Sequence, residues 1–377
     1  MNEIKIERNE LLKRLKVVSG SAVMLRANEK DISVLTNDNE TFVRAGFVND
    51  KDEEICIEAA VNYRTLLETV KSFGDIIAIR KTTTNLILAS GKDRAYIKIN
   101  EEVNPEPPSG GNIIGSFHVN PELWKNAISR TSFAAAIEDS NRIILTGIHV
   151  RVENDAAIIE AVDGINAART YVPVQSVMLS DPEQNIDFVY PAITAKKLAR
   201  TTKSDQDEML VRVFSHSIDF KVGDVFAATL LLKTTVDYPK LDMFFQSPVK
   251  QEIVVTRKRL SAALNRALLL DDAGYIKISA IGEIIVGSSN TSDIINTIGS
   301  TSETIPAVVN TVVEAETVVN TAEAYLIWFN FDRLNNIIEN VRGDMIKIEC
   351  NEPNAPARIY EAGKKVPFTA VIMPVIV

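Results

Sequence analysis

Lys196, Lys197, Arg200 and Lys203 lie close together in AITAKKLARTTK, and Arg257, Lys258, Arg259 and Arg266 do the same in RKRLSAALNRAL. Spaced cations of this kind neutralise phosphates without reading base edges. Bond-breaking chemistry finds no comparable support. His118, His149 and His216 sit in alternating, strand-like runs, where satisfied surface or core histidines are expected. No Ser-His-Asp spacing, HExxH, phosphate loop or GxGxxG occurs. Asp271-Asp272 and Asp163-Gly164 are expected to be turns, because Asp-Gly favours tight ones. Cys56 and Cys350 are far apart, with no second Cys or His at ligand spacing. The chain is therefore expected to be no enzyme, with no catalytic residue, metal or cofactor.

The cations must be carried by something. At 377 residues the chain has room for two to four domains, and 46% hydrophobic with 24% charged residues is an ordinary soluble composition. No apolar run reaches the ~20 residues that span a bilayer, and the N-terminus has no apolar signal core. A cytoplasmic protein with no membrane partner is expected.

Internal repetition sets the architecture. A strand, an Asn or Thr and a short amphipathic helix recur at 4–18, 117–130 and 252–270. A second pattern of strand, helix, turn, strand, break and strand follows each, at 56–91, 186–223 and 325–363. Asn120-Pro121 is an N-cap with proline at the first helical position, and Asn62, Thr256 and Asn330 hold matching cap positions. Leu11, Leu12, Leu15 and Val18 make one buried stripe. Runs such as HVRVENDAAIIEAV and SIDFKV alternate with period two, as antiparallel strands with one wet face do. The fold class is α+β: three tandem domains at 1–110, 111–246 and 247–377, each with antiparallel sheets outside and two helices on one side. Linkers are expected at 103–112 and 247–252, and an extended loop over the Ser/Thr-rich 288–306.

Charge is distributed unevenly over these elements. Helices at 8–18, 61–72, 120–130, 192–203, 257–268 and 331–342 contain eighteen Lys and Arg against five Asp and Glu. They carry +13, so within a net charge of −9 the remainder carries −22. Any single basic helix is an ordinary solvated face. Five net-positive helices out of six in an acidic protein point instead to the duplex backbone. With aromatics at 6%, stacking on single strands is not supported.

ISRTSFAAAIEDSNRIILTGIHVRV (128–152), IIEAVDGINAARTYVPV (158–174) and VDYPKLDMFF (236–245) resemble the central domain of the bacterial DNA sliding clamp, the beta subunit of DNA polymerase III. Ala161, Asp163, Gly164 and Ala168 match that family's Ala-Thr-Asp-Gly-x-Arg-Leu-Ala motif, and the ending VIMPVIV is similar to its Met-Pro-Met-Arg-Leu terminus. The resemblance covers essentially the whole chain in order. It implies three copies of a DNA-clamp domain forming half of a closed ring, completed by a head-to-tail homodimer around duplex DNA held without sequence preference. It also implies a pocket for short linear motifs of DNA polymerase, the clamp loader and repair proteins. Carried over by motif, the pocket comprises Leu145, Val162, Gly164, Ile165, Asn166, Ala167, Pro239, Met243, Phe244, Val371, Met373, Pro374, Val375, Ile376 and Val377. The DNA-facing helix residues are Lys13, Arg14, Arg64, Lys71, Lys125, Lys196, Lys197, Arg200, Lys203, Arg259 and Arg266.

The chain departs from the family in several places. Asn166-Ala167 replaces Arg-Leu, Ile376 replaces the terminal Arg, and the basic residue usual near Met243 is absent, so a shallower, less charged pocket is expected. The segment 19–28 is about ten residues short of the family's Arg-Pro loop, and no sealing aromatic stands near Asn104-Pro105. These losses fit a divergent clamp. The alternative is a non-DNA ring or assembly protein built on the same fold.

Overall fold

The computed structural model describes residues 3–28, 31–48, 56–99, 101–108, 110–139, 141–201, 208–269, 273–279, 283–288, 301–311, 325–363 and 368–376. Among them are seven α-helices: α1 (Arg8–Val17), α2 (Tyr63–Ser72), α3 (Pro121–Thr131), α4 (Ala192–Thr201), α5 (Asp242–Phe245), α6 (Arg257–Leu268) and α7 (Phe331–Asn340). Six are the helices expected from the sequence; α5 is a single extra turn.

Capping sets where the helices start. Asn62 accepts from Thr65 N, Asn120 from Leu123 N and Asn330 from Arg333 N, at 2.9–3.0 Å. Thr256 holds the N-cap of α6 but makes no capping bond; its hydroxyl faces Met345 Sδ at 3.6 Å instead. That is a correction to the cap expected there, and α6 relies on packing through Leu260, Ala263, Leu264 and Ala267. In α1 the expected stripe holds at Leu11, Leu15 and Val18, while Leu12 is half-buried.

By contact the chain falls into two compact units. The first comprises Met1–Asn126, Arg151–Ala157 and Pro173–Lys233. One of its sheets runs Glu3–Glu7, Ile76–Lys81, Asn85–Ser90, Asp93–Lys98, with the last strand at the edge. A second antiparallel run joins Ile57–Asn62, Ala22–Ala27, Asp31–Asn37, Thr41–Val48, Val225–Leu230, Ser217–Val222, Met209–Phe214 and Ile113–Val119. The later residues of strand Asn166–Leu179 complete it against Ile113–Val119.

The second unit comprises Ala127–Val150, Ile158–Val172 and Thr234–Val377. Its antiparallel run joins Tyr325–Asn330, Ala273–Ser279, Glu283–Ser288, Thr301–Thr311, Gln251–Thr256, Met345–Cys350, Ala357–Glu361 and Phe368–Ile372. The first residues of Asn166–Leu179 pair with that last strand. Thr301–Thr311 corrects the loop expected through 306: Thr, Ile and Val suit a pleated strand and override the polar composition. Residues 289–300, like Asp271-Asp272, lie outside the described residues.

Candidate functional site

The expected pocket is built on a turn. In the second unit, Asp163 Oδ1 accepts from Ile165 N at 2.8 Å and Asn166 N at 2.7 Å, and Asp163 N donates to Asn166 O. Gly164 between them has φ +94°, a region that penalises any side chain. A Cβ added there would also meet the Arg142 guanidinium at 3.4 Å. The other carboxylate oxygen of Asp163 takes Arg333 Nη1 of α7 at 2.6 Å. The turn is thereby held from both sides.

It delivers the chain into strand Asn166–Leu179, whose Asn166, Ala167, Ala168, Arg169 and Thr170 face Ile372, Val371, Ala370, Thr369 and Phe368. Beyond that ladder Met373 N donates to Ile165 O, and Val375 N to Trp328 O, both at 2.9 Å. Residues 373 and 375 are therefore held by backbone bonds beyond the ladder. Ile165, Asn166, Ala167, Val371 and Met373 are brought together by this pairing.

The third component, carrying Pro239, Met243 and Phe244, is the segment 238–245, which includes α5 and packs on strand Phe368–Ile372. Leu241 roots it in the core at 2% exposure. Leu145, Val162, Asn166, Ala167 and Val371 are buried. Gly164, Ile165, Pro239, Met243, Val375 and Ile376 are exposed, and Phe244, Met373 and Pro374 half-buried. Val377 lies outside the described residues. Ile165, Met243, Val375 and Ile376 each leave apolar surface exposed.

Four participants were missed in the sequence reading of this site. Arg142 borders Gly164, with its Nε bonded to Asp139 at 3.1 Å. Glu160 and Arg169 form a buried ion pair, and Arg333 braces the turn. Only Asp139-x-x-Arg142, a short-range pair of opposite charge, left any trace in the sequence.

The basic faces also differ from the count. Lys13, Arg64, Lys71, Lys196, Arg200, Arg259 and Arg266 are exposed on their helices. Burial depresses the Lys196 ammonium, and neighbouring Arg200 adds to it. Arg14 corrects the expectation: it is buried, bonded to Glu10 and Gly46 O and paired with Asp224 at 2.5 Å. Lys197 is half-buried and bonded to Asp38 at 2.7 Å. Lys71 and Lys125 are paired within their helices to Glu68 and Glu122, and Lys203 lies outside the described residues.

No group of three His, Cys, Asp or Glu able to hold a metal occurs among the described residues, and no helix there is long and apolar enough to cross a membrane. Cys56 is exposed and free; burial pushes the Cys350 thiol up to about 12.

Residues 118–240 match the family model for the DNA polymerase III beta subunit, central domain. A beta sliding clamp of Staphylococcus aureus is 26% identical over 180 residues, 47% of this chain and 45% of the relative, so the chain spans about half the length of that protein in the match. A Pseudomonas aeruginosa DNA polymerase sliding clamp superposes with TM-score 0.86 at 21% identity, covering 100% of both chains. Another structure of a P. aeruginosa sliding clamp, bound to griselimycin, gives TM-score 0.84 at 20% identity over 100% of this chain and 99% of that one. The chain thus has the fold of the bacterial sliding clamps along its length, and its residues 118–240 are similar to the central domain of the beta subunit.

Proposed function

We propose that the chain is a DNA sliding clamp, a processivity factor that encircles duplex DNA as a head-to-tail homodimer in the bacterial cytoplasm and performs no catalysis. The observation that carries this reading is the full-length clamp fold combined with helices at +13 in a chain of net charge −9. Topological linkage supplies retention, so the helices need weak, mobile phosphate contacts. An acidic remainder repels stray DNA. In this reading the domains are 1–110, 111–246 and 247–377.

Strand pairing supports the dimer. Asp93–Lys98, Val225–Leu230 and Phe368–Ile372 each end one repeat. The second pairs with Thr41–Val48 and the third with Asn166–Leu179. Asp93–Lys98 is instead a sheet edge among the described residues, with Tyr96 66% exposed, a template for another strand. Thr301–Thr311, the counterpart of Thr41–Val48 in the third repeat, takes no such strand among the described residues. A second copy supplies both missing partners, giving a heterologous contact that closes after two chains.

The apolar edge at Ile165, Met243 and Val375 is the proposed seat for Leu/Phe-anchored linear motifs of DNA polymerase, loader and repair proteins. Griselimycin, bound by the P. aeruginosa clamp, serves as its probe.

Retention on DNA tests the ring. Loaded protein should remain on nicked circles in moderate salt and leave when the circles are linearised. Lys196→Glu with Arg200→Glu should shorten residence without unfolding the chain. Equal retention on circles and linear duplex sinks the ring and leaves the assembly-protein alternative.

A further inference from the structure

We propose that Glu160 is a buried positioning residue for the pocket wall, holding segment 238–245 in place through Arg169 on one side and His149 on the other. This rests on reading that segment as the wall of a binding pocket.

Three neighbouring stretches of the second unit converge on this carboxylate. Glu160 is 2% exposed, and an isolated charge so deep is strongly disfavoured. Both of its oxygens are engaged: Arg169 Nε donates to Oε1 at 2.5 Å, and His149 Nδ1 lies 3.1 Å from Oε2. Each of these partners also holds the wall. Arg169, 4% exposed, places Nη2 at 2.8 Å from Asp242 Oδ1 and its guanidinium carbon 4.2 Å from the centre of the Phe245 ring. The His149 ring stacks on Tyr238, with centroids 4.5 Å apart and planes inclined by 31°. Burial pushes the Tyr238 phenol far up, so it remains a neutral stacking partner. Burial would depress the Arg169 guanidinium, but Glu160 reverses that and raises it, so the cation persists.

The wall needs such an anchor. Its helix α5 has four residues and no buried residue of its own, too short to hold itself. Leu241 fixes one point, and Arg358 Nη1 donates to Phe245 O at 2.7 Å at the far end. Arg169 on Asp242 and Phe245, together with His149 on Tyr238, adds contacts on both sides of Leu241 and sets the direction of Met243 and Phe244. A buried ion pair is seldom the most stable filling for such a space, because desolvation offsets its attraction. Fixed geometry is what it supplies here.

Amide hydrogen exchange of 238–245, griselimycin binding by calorimetry and thermal unfolding test this on the full chain. Asp242 is half exposed, so Asp242→Asn should leave the melting temperature unchanged while speeding exchange in 241–245 and weakening griselimycin about fivefold. The paired change Glu160→Gln with Arg169→Met removes both charges together and should speed exchange throughout 238–245, with binding weakened about tenfold. Unchanged exchange in Asp242→Asn overturns the inference, whether or not the paired variant folds. If exchange accelerates as expected but the unaltered chain does not bind griselimycin, the pocket reading is what fails and the anchoring of the segment stands.

Discussion

Two seams of this protein use the same device to different ends. In the second unit it is the turn Asp163–Asn166 leading into the ladder with Phe368–Ile372. In the first unit it is the turn Asp38–Thr41 leading into the ladder with Val225–Leu230. Asp38 Oδ1 accepts from the backbone of Glu40 and Thr41, as Asp163 Oδ1 does from Ile165 and Asn166. Asn39 takes φ +72° where Gly164 takes +94°. Lys197 of α4 binds the free oxygen of Asp38 as Arg333 of α7 binds that of Asp163.

What lies over the seams differs. In the first unit Asn37 holds the carbonyls of Asn104 and Glu106, and Val103 joins a core cluster with Met24, Leu35, Phe42 and Ala228. Phe42 meets Phe226 edge-on at 5.9 Å. Farther along, a cavity of about 470 Å³ is bordered by Arg44, Arg212 and Asp224, but these are paired with Asp31, Asp219 and Arg14. In the second unit the corresponding edge presents Ile165 and Met243 to solvent. The first seam is covered by 103–106 at one end and bordered by this cavity at the other, whereas the second exposes Ile165 and Met243, where the proposed guest would sit.

Substitutions can separate these roles. Phe42→Ala should have the largest effect, a loss of about 3–5 kcal/mol in chemical denaturation, because the buried ring leaves a cavity. Griselimycin affinity of the folded fraction should not change; a large drop would mean that the first seam also serves binding.

Asp163→Ala comes next. It strands Arg333 and two backbone N–H groups and should cost about 1.5–3 kcal/mol, as expected for hydrogen bonds to a charge. Here griselimycin should bind about tenfold more weakly by calorimetry. Asp38→Ala should lower stability less, its side chain being 51% exposed, and leave binding intact. Equal binding losses in the two variants would erase the functional distinction between the seams.

The smallest effect is a pH dependence. Burial would raise the Asp38 carboxyl, but Lys197 and the backbone donors of Thr41 and Glu40 outweigh it and hold it below the usual range. A carboxyl lowered by folding stabilises the fold above its unfolded value of about 3.9. That contribution disappears as pH falls through the folded value. Asp38→Asn should therefore flatten the acid limb of the stability curve below about pH 4 and run parallel to the unaltered chain near neutrality. Acid limbs that superpose would show that the Lys197 contact adds nothing.

Local order along the chain made much of this legible. Asn62, Asn120 and Asn330 announce helix starts because a short side-chain acceptor satisfies orphan N–H groups within three residues. Asp163-Gly164 announces the turn, and period-two alternation announces the strands. Thr256 shows the limit of that reasoning, since a cap residue finds a better contact across the fold.

The sequence by itself determined the helix pairs, the Asp turns, the sum of charge on the helices and the absence of any recognised catalytic motif. Each of these depends on neighbours within a few residues, or on composition. Tertiary structure alone decided which cations remain available: Arg14 and Lys197 count toward the basic helices but are engaged by Asp224 and Asp38, far away along the chain. It also decided that Glu160, Arg169 and His149 meet beneath the wall. Coulomb and hydrogen-bond energies depend on distance in space and on local burial. No spacing along a chain encodes either of those directly.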